Sequence, residues 1–181
     1  MQRWLCADYL FSGCSSLTSL YLPDDITSIS SHVFGSSSYT VPTIYTDPYS
    51  VTALTVSNRG YAFTDKQRPG VRIKAFETGG VRSFIVTGSL EDVTIAYIPE
   101  GTTSIGYRAF YERTSLRSVS IPEGVTEIDD AAFSGCTSLR NVTLPQSLTT
   151  MGYSVFSRCE KLTEIRHRVR SEERFSRNAE T

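Results

Sequence analysis

Residues 99–165 repeat one pattern three times, with a period of 23 residues. The residues that recur at this spacing are Pro99, Pro122 and Pro145, Phe110, Phe133 and Phe156, and Leu116, Leu139 and Leu162. A fixed period between about 20 and 50 residues is typical of a solenoid, in which each repeat forms one turn and neighbouring turns stack. The same spacing places Phe11, Leu17, Leu20, Leu22, Pro23 and Phe34 at equivalent positions near the start of the chain. The sequence therefore predicts a repeat protein.

Each repeat contains an L-x-x-L-x-L segment, as at residues 17–22, with Val142 in the second place of the segment at residues 139–144. The last residues of this segment alternate between apolar and polar, which predicts a short strand whose apolar side chains point inward. The following proline cannot donate to a strand ladder, so it is expected where the chain leaves the sheet. A second apolar pair, Val125 and Ile128 in one repeat, precedes the next phenylalanine. Because one turn cannot bury its own inner face, the turns are expected to stack and align these residues in apolar columns.

Residues 128–145, IDDAAFSGCTSLRNVTLP, resemble the BspA-like leucine-rich repeat family, whose repeats follow I-G-x-x-A-F-x-G-C-x-x-L-x-x-V-x-I-P. Three consecutive repeats match, and clear repeats cover about half the chain. The resemblance implies a β-rich α/β solenoid of leucine-rich repeats in an exported bacterial or protist protein. It also implies an extracellular or cell-surface location and binding of host or partner proteins through the repeats. The opening MQRWLCADYL has one arginine and no long apolar core, so we expect no signal peptide there. If the protein is exported, as the resemblance implies, the chain is expected to be part of a longer protein.

Two blocks of repeats are expected, over residues 1–66 and 71–166, with a polar linker at 67–70. The pattern weakens after Phe34, and residues 35–66 resemble the T-I-Y…S-x-A…Y-x-F segment that closes blocks in the same family. A cap of this kind protects the edge of a terminal turn from pairing with other molecules.

Within the cap, residues 43–45 and 61–63 are predicted strands. Ser50 is the expected N-cap of a helix over residues 51–57, and residues 58–60 supply a helix stop. The second block is expected to open with a hairpin of residues 71–76 and 81–87 around Glu77-Thr-Gly-Gly80, followed by a strand at 93–98. We expect the hairpin to shield the edge of the first turn.

Residues 167–181 are predicted to form a charged, disordered tail, with five arginines between positions 166 and 177 diluted by three glutamates. The alternative is a basic contact strip for an anionic surface. Overall composition does not favour nucleic acid as a partner, because the formal net charge is only −1. No apolar run approaches the roughly 20 residues that span a bilayer, so no membrane insertion is expected.

The four cysteines are expected to be structural thiols rather than metal ligands. Cys14, Cys136 and Cys159 each follow a repeat phenylalanine by three residues, and Cys6 occupies a position that later repeats fill with isoleucine or methionine. All four are therefore predicted to act as small buried hydrophobes. No C-x-x-C pair exists and the two histidines are far apart in sequence, so no zinc site is expected. A disulfide between Cys136 and Cys159, on adjacent turns, stays open.

No cofactor, metal or catalytic residue is predicted. The sequence contains no phosphate-binding glycine loop, dinucleotide fingerprint, H-E-x-x-H or G-x-S-x-G motif. The adjacent Asp129 and Asp130 are expected to solvate a turn rather than to act as an acid/base pair. An enzymatic function would require a clustered nucleophile and base in the irregular segment 35–98, and the sequence shows none.

The repeat supplies a surface instead, because the residues between inward leucines point outward and align from turn to turn. Stacked strands lie about 4.8 Å apart, so Arg117 and Arg140 are expected to be neighbours that meet a carboxylate, a sulfated sugar or an acidic protein patch. The alternative is that this polar face is only solvated and binds no partner. The leading hypothesis is a non-enzymatic protein- or glycan-binding adhesion module, and the second is a rigid spacer without a ligand. The candidate partner-binding residues are Tyr21, Arg117, Ser118, Arg140, Asn141, Thr143, Glu164 and Arg166.

Overall fold

The computed structural model describes residues 5–35, 41–67 and 70–168. The predicted tail beyond residue 168 lies outside the described residues. Strands and helix have the following bounds: β1 Leu5–Cys6, β2 Ser19–Tyr21, β3 Ser28–Ile29, β4 Thr43–Thr46, α1 Val51–Asn58, β5 Phe63–Asp65, β6 Val71–Thr78, β7 Val81–Ser89, β8 Ile95–Tyr97, β9 Thr102–Ile105, β10 Ser118–Ser120, β11 Glu127–Ile128, β12 Asn141–Leu144, β13 Thr150–Met151 and β14 Glu164–His167.

The predicted solenoid is confirmed, with about six turns and repeats of about 23 residues. Strands β8, β10, β12 and β14 come from the L-x-x-L-x-L segments of successive turns and form one parallel sheet. Ser118 pairs with Asn141 and Asn141 with Glu164, so the register advances by one repeat at each strand. The short strands β9, β11 and β13 form a second parallel ladder on another side of each turn.

The hairpin of β6 and β7 joins the two repeat regions into one eight-stranded sheet. Strand β6 pairs antiparallel with β5 of the cap, and β7 pairs parallel with β9 of the next turn. The sheet order is β13-β11-β9-β7-β6-β5-β4-β2. The L-x-x-L-x-L strand of the first region, β2, therefore shares a sheet with the second strands of the later repeats. The division of the chain into two blocks stays a prediction, and the ladder is continuous between them.

The core is a set of apolar columns along the solenoid axis, as predicted. Phe110 and Phe133 are fully buried, and the rings of Phe110, Phe133 and Phe156 stack in order. Phe11 stacks on Phe34 in the same way near the start of the chain, at 5.8 Å. Met151 is an exception to the expected burial, since it is exposed in the last described turn, where β13 ends the sheet.

In the cap, the helix forms where the capping serine and the following glycine predict it. Helix α1 begins after Ser50, whose Oγ accepts the N–H of Ala53 at 3.1 Å. It ends at Asn58, followed by the C-cap Arg59 and by Gly60 at φ 86°. The hairpin is longer than predicted, by two residues in each strand. The strand predicted at residues 61–63 is wrong in position, because β5 starts at Phe63, where pairing with β6 begins.

The expectation that all cysteines are buried holds fully only for Cys136. Cys6 and Cys159 are half-buried, and the expectation is wrong for Cys14, which is exposed. The Sγ of Cys136 donates to the carbonyl of Phe110 at 3.0 Å, and that of Cys159 donates to Phe133 at 3.1 Å. Each of these two thiols thus donates a hydrogen bond to the preceding turn. None of the four cysteines forms a disulfide. Burial raises the pKa of Cys136 to about 12 and raises the pKa of Cys159 and Cys6 as well.

Candidate functional site

Seven of the eight candidate binding residues lie on the sheet of β8, β10, β12 and β14, called the strand face here. Its first row consists of the residues just before each strand, joined by backbone hydrogen bonds. The N–H of Arg117 donates to Thr94 at 2.8 Å, that of Arg140 to Arg117 at 3.4 Å, and that of Thr163 to Arg140 at 3.0 Å. Arg117 and Arg140 are therefore neighbours, as the repeat predicts.

Two further rows follow along the strands. One aligns Ile95, Ser118, Asn141 and Glu164, and the other aligns Tyr97, Ser120, Thr143 and Arg166. The side chains of these rows are exposed except that of Thr143, which is half-buried between its neighbours. The intervening residues Ala96, Val119 and Val142 are buried, which fixes the outward direction of both rows.

Charge is distributed unevenly over the strand face. The Nε of Arg166 contacts Glu164 Oε1 at 2.7 Å, and this hydrogen bond lowers the pKa of Glu164 and raises that of Arg166. Within the described residues, no ion pair joins Arg117 or Arg140 to a carboxylate. Arg117 and Arg140 thus lie on adjacent turns with exposed side chains.

The eighth candidate, Tyr21, lies elsewhere, because β2 belongs to the eight-stranded sheet. Its ring stacks on that of Tyr45 with centroids 4.4 Å apart and planes 9° apart. Tyr21 remains 66% exposed. The structure therefore does not bring Tyr21 to the strand face, and it adds Tyr45, which sequence analysis missed.

The structure also shows a cleft beside the strand face that sequence analysis did not anticipate. It has a volume of about 340 Å³ and is called the acidic cleft here. Its walls come from the loop before α1, from the end of β5 and from the start of the second repeat region. The lining residues are Asp47, Pro48, Tyr49, Asp65, Gln67, Tyr97, Ile98, Pro99, Glu100 and Ser120. Tyr97 and Ser120 belong to the cleft and to the strand face at once.

Neither a metal centre nor a membrane-spanning helix is found in the part of the chain that the structure describes. No three histidine, cysteine, aspartate or glutamate residues among those described are grouped to hold a metal ion. Asp129 and Asp130 occupy a turn, where Asp130 Oδ1 accepts the N–H of Tyr153 at 2.6 Å. No described helix has the length and apolar character required to cross a bilayer.

Stacked turns of about 23 residues, parallel ladders and an aligned polar face define a leucine-rich-repeat β-solenoid. The chain belongs to the BspA type leucine rich repeat region family, whose pattern matches in six copies over residues 6–66 and 75–176. Family membership confirms the resemblance on which the sequence analysis relied. The sequence has no significant match among curated proteins.

Three solved bacterial structures are similar to the chain. A leucine rich cell surface protein from Faecalibacterium prausnitzii A2-165 is 22% identical, with 94% of this chain and 59% of that one covered and a TM-score of 0.32. A leucine-rich repeat protein from Eubacterium ventriosum is 18% identical, with coverage of 90% and 45% and a TM-score of 0.45. One from Bacteroides ovatus is 21% identical, with coverage of 52% and 39% and a TM-score of 0.32. The chain thus spans 59% or less of the length of these proteins.

Proposed function

We propose that this chain is a non-catalytic binding module that attaches a bacterial cell surface to a protein or glycan through the strand face. The observation that carries the proposal is the pair of neighbouring arginines, Arg117 and Arg140, which no carboxylate of the described residues neutralises. A planar guanidinium can bind a carboxylate or sulfate through two hydrogen bonds, and two adjacent ones favour an anionic group strongly.

The shape of the surface supports the same proposal. Solenoid repeats place equivalent side chains in straight rows, so a partner meets several turns at once. The serine, asparagine and threonine hydroxyl and amide groups beside the arginines add hydrogen-bonding capacity to the rows. The surface location is part of the proposal, in keeping with the cell-surface protein of F. prausnitzii.

The test is a binding screen of the purified chain against extracellular-matrix proteins and sulfated glycans at physiological salt. The variant Arg117→Glu/Arg140→Glu reverses both charges of the first row and is expected to abolish binding of any ligand found. The matched control is Arg59→Glu/Arg158→Glu, which changes the net charge equally at two exposed positions outside the strand face. The control is expected to bind as the parent does.

Two results would overturn the proposal. Equal loss of binding in both variants would show a general charge effect rather than a site. No binding by a chain shown to be folded would favour a rigid spacer that displays other domains and has no ligand of its own.

A further inference from the structure

The acidic cleft brings together carboxylates that lie far apart in the sequence. Asp47 precedes helix α1, Asp65 ends strand β5, and Glu100 follows strand β8. The Oδ1 of Asp47 accepts the N–H of Tyr49 at 2.8 Å, and the Oδ1 of Asp65 accepts the N–H of Gln67 at 2.8 Å. These turns fix the orientation of both carboxylates and leave each a second oxygen for another donor.

The negative charge of the cleft is not balanced by the described residues. Lys66 pairs with Asp24, Arg82 pairs with Glu77, and no salt bridge within the described residues reaches Asp47, Asp65 or Glu100. Burial is the main cause that raises the pKa of the Tyr49 hydroxyl. The negative charges of Glu100, Asp47 and Asp65 raise this pKa further. All three carboxylates line the same cleft as this hydroxyl.

Tyr49 forms an aromatic wall of the cleft. Its hydroxyl donates to the carbonyl of Glu100 at 3.0 Å, and its ring meets that of Phe84 edge to face at 5.3 Å. The side chain is held at both ends and is still 58% exposed. An aromatic face beside carboxylates attracts a cation through its quadrupole as well as through charge.

The dimensions of the cleft restrict the kind of cation. The carboxylates are not grouped in a way that could hold a metal ion. A cleft of about 340 Å³ lies instead in the size range of sites for small organic groups. An arginine or lysine side chain carries its charge on a slender stem, which fits a cleft with an acidic and an aromatic wall.

We propose that the acidic cleft binds an arginine or lysine side chain of a protein partner that lies along the strand face. Tyr97 and Ser120 belong to the row that continues with Thr143 and Arg166, so such a partner would pass directly from the row into the cleft. The cleft then selects a cation, whereas Arg117 and Arg140 select an anion. A partner with both charges is favoured over one with either charge alone.

The direct test uses short peptides and does not require the natural partner. Acetyl-Gly-Arg-Gly-amide is titrated into the ¹⁵N-labelled chain, and acetyl-Gly-citrulline-Gly-amide serves as its neutral isostere. The arginine peptide is expected to shift the amide signals of Tyr49, Asp65 and Glu100 saturably. The citrulline peptide is expected to bind about tenfold more weakly or not at all, because only a charged donor gains from the carboxylates. Equal binding of the two peptides would overturn the proposal.

Variants that remove the carboxylate charges test whether the arginine peptide binds in the acidic cleft. Asp47→Asn/Asp65→Asn/Glu100→Gln removes three charges but retains the oxygens that accept the turn hydrogen bonds, and it is expected to weaken binding of the arginine peptide about tenfold or more. The control Asp25→Asn/Asp92→Asn/Glu160→Gln removes three exposed charges elsewhere and is expected to bind normally. Equal weakening in both, or none in the first, would contradict the cleft as the site.

Two more variants separate this proposal from others. Arg117→Glu/Arg140→Glu is expected to leave binding of the arginine peptide intact, so the cleft and the strand-face function can fail independently. Loss of the signal shifts in that variant would contradict a cation site in the cleft that acts independently of the strand face. Arg68 lies outside the described residues and follows Gln67 in the sequence, so Arg68→Gln removes the cation nearest in sequence to this part of the cleft lining. Unchanged or tighter binding agrees with the proposal, and weaker binding contradicts it.

Discussion

The rings of Phe110 and Phe133 lie almost parallel, with their centroids 4.9 Å apart and their planes 7° apart. Phe156 continues the stack at 5.5 Å and 11°. Phe133 is fully buried between these two rings, so its side chain packs against both neighbouring turns.

The first prediction is that Phe133→Ala lowers the free energy of unfolding by about 3–5 kcal/mol, because the cavity is lined by two rings that cannot both collapse into it. This loss is comparable to the whole stability of a small domain. Urea unfolding followed by circular dichroism measures it. Phe156→Ala is the control and is expected to cost less, since Phe156 is only half-buried. Unchanged cooperative unfolding of Phe133→Ala would contradict the stacked core.

The second prediction concerns thiol reactivity. Burial raises the pKa of Cys136 to about 12, and its thiol is fully buried, whereas Cys14 is exposed. Because the thiolate is the reactive form, a thiol of pKa about 12 is ionised in about one molecule in ten thousand at pH 8. Iodoacetamide at pH 8 is expected to modify Cys14 first and Cys136 only when the chain unfolds. Mass spectrometry of the peptides reports the order, and early modification of Cys136 would contradict its burial.

Local signals in the sequence were sufficient to predict most of the elements. Ser50 caps α1 because its hydroxyl accepts a backbone N–H three residues later, an interaction that needs no distant partner. The turn at Gly79 and Gly80 forms because both glycines adopt positive φ, at 59° and 79°. The strict period likewise placed Arg117 beside Arg140, since neighbouring turns repeat the same path.

Pairing between distant strands could not be predicted in the same way. The position of β2 in the eight-stranded sheet depends on how β5 meets β6 and β7 meets β9, and neither contact follows the repeat. For this reason Tyr21 was grouped with residues of another sheet, and the acidic cleft, which needs Asp47 beside Glu100, was missed. Cys14 shows the same limit, because it occupies the position of Cys136 but is exposed near the start of the solenoid.

The third prediction tests the helix cap. The Oγ of Ser50 accepts from Ala53 N–H at 3.1 Å and donates to the carbonyl of Asp47 at 2.7 Å. Ser50→Ala removes these two hydrogen bonds and a third, with Thr46 Oγ1 at 3.2 Å, and is expected to cost about 1–2 kcal/mol of unfolding free energy. Thermal unfolding measures the change, with the exposed Ser16→Ala as the control. Equal stability of the two variants would show that the cap contributes nothing.

The last prediction concerns Gly152, which occupies the glycine position of the repeat pattern. A Cβ on Gly152 would lie 2.5 Å from the backbone nitrogen of Asp130 and 2.8 Å from the carbonyl carbon of Asp129, both in the preceding turn. Since backbone atoms cannot move aside, the turns would have to separate. Gly152→Ala is therefore expected to cost about 1–3 kcal/mol, the usual cost of overpacking.

Gly88→Ala is the matched control, because a Cβ there meets nothing closer than Arg72 Cδ at 3.8 Å. Neither glycine has a positive φ, so the comparison isolates the steric contact from any strain of the backbone. Urea unfolding of both variants measures the difference, and Gly88→Ala is expected to be as stable as the parent or slightly more so, since alanine restricts the unfolded chain. If Gly152→Ala were equally stable, the turns could not be in contact at this position, and the close stacking that aligns the strand face would be wrong there.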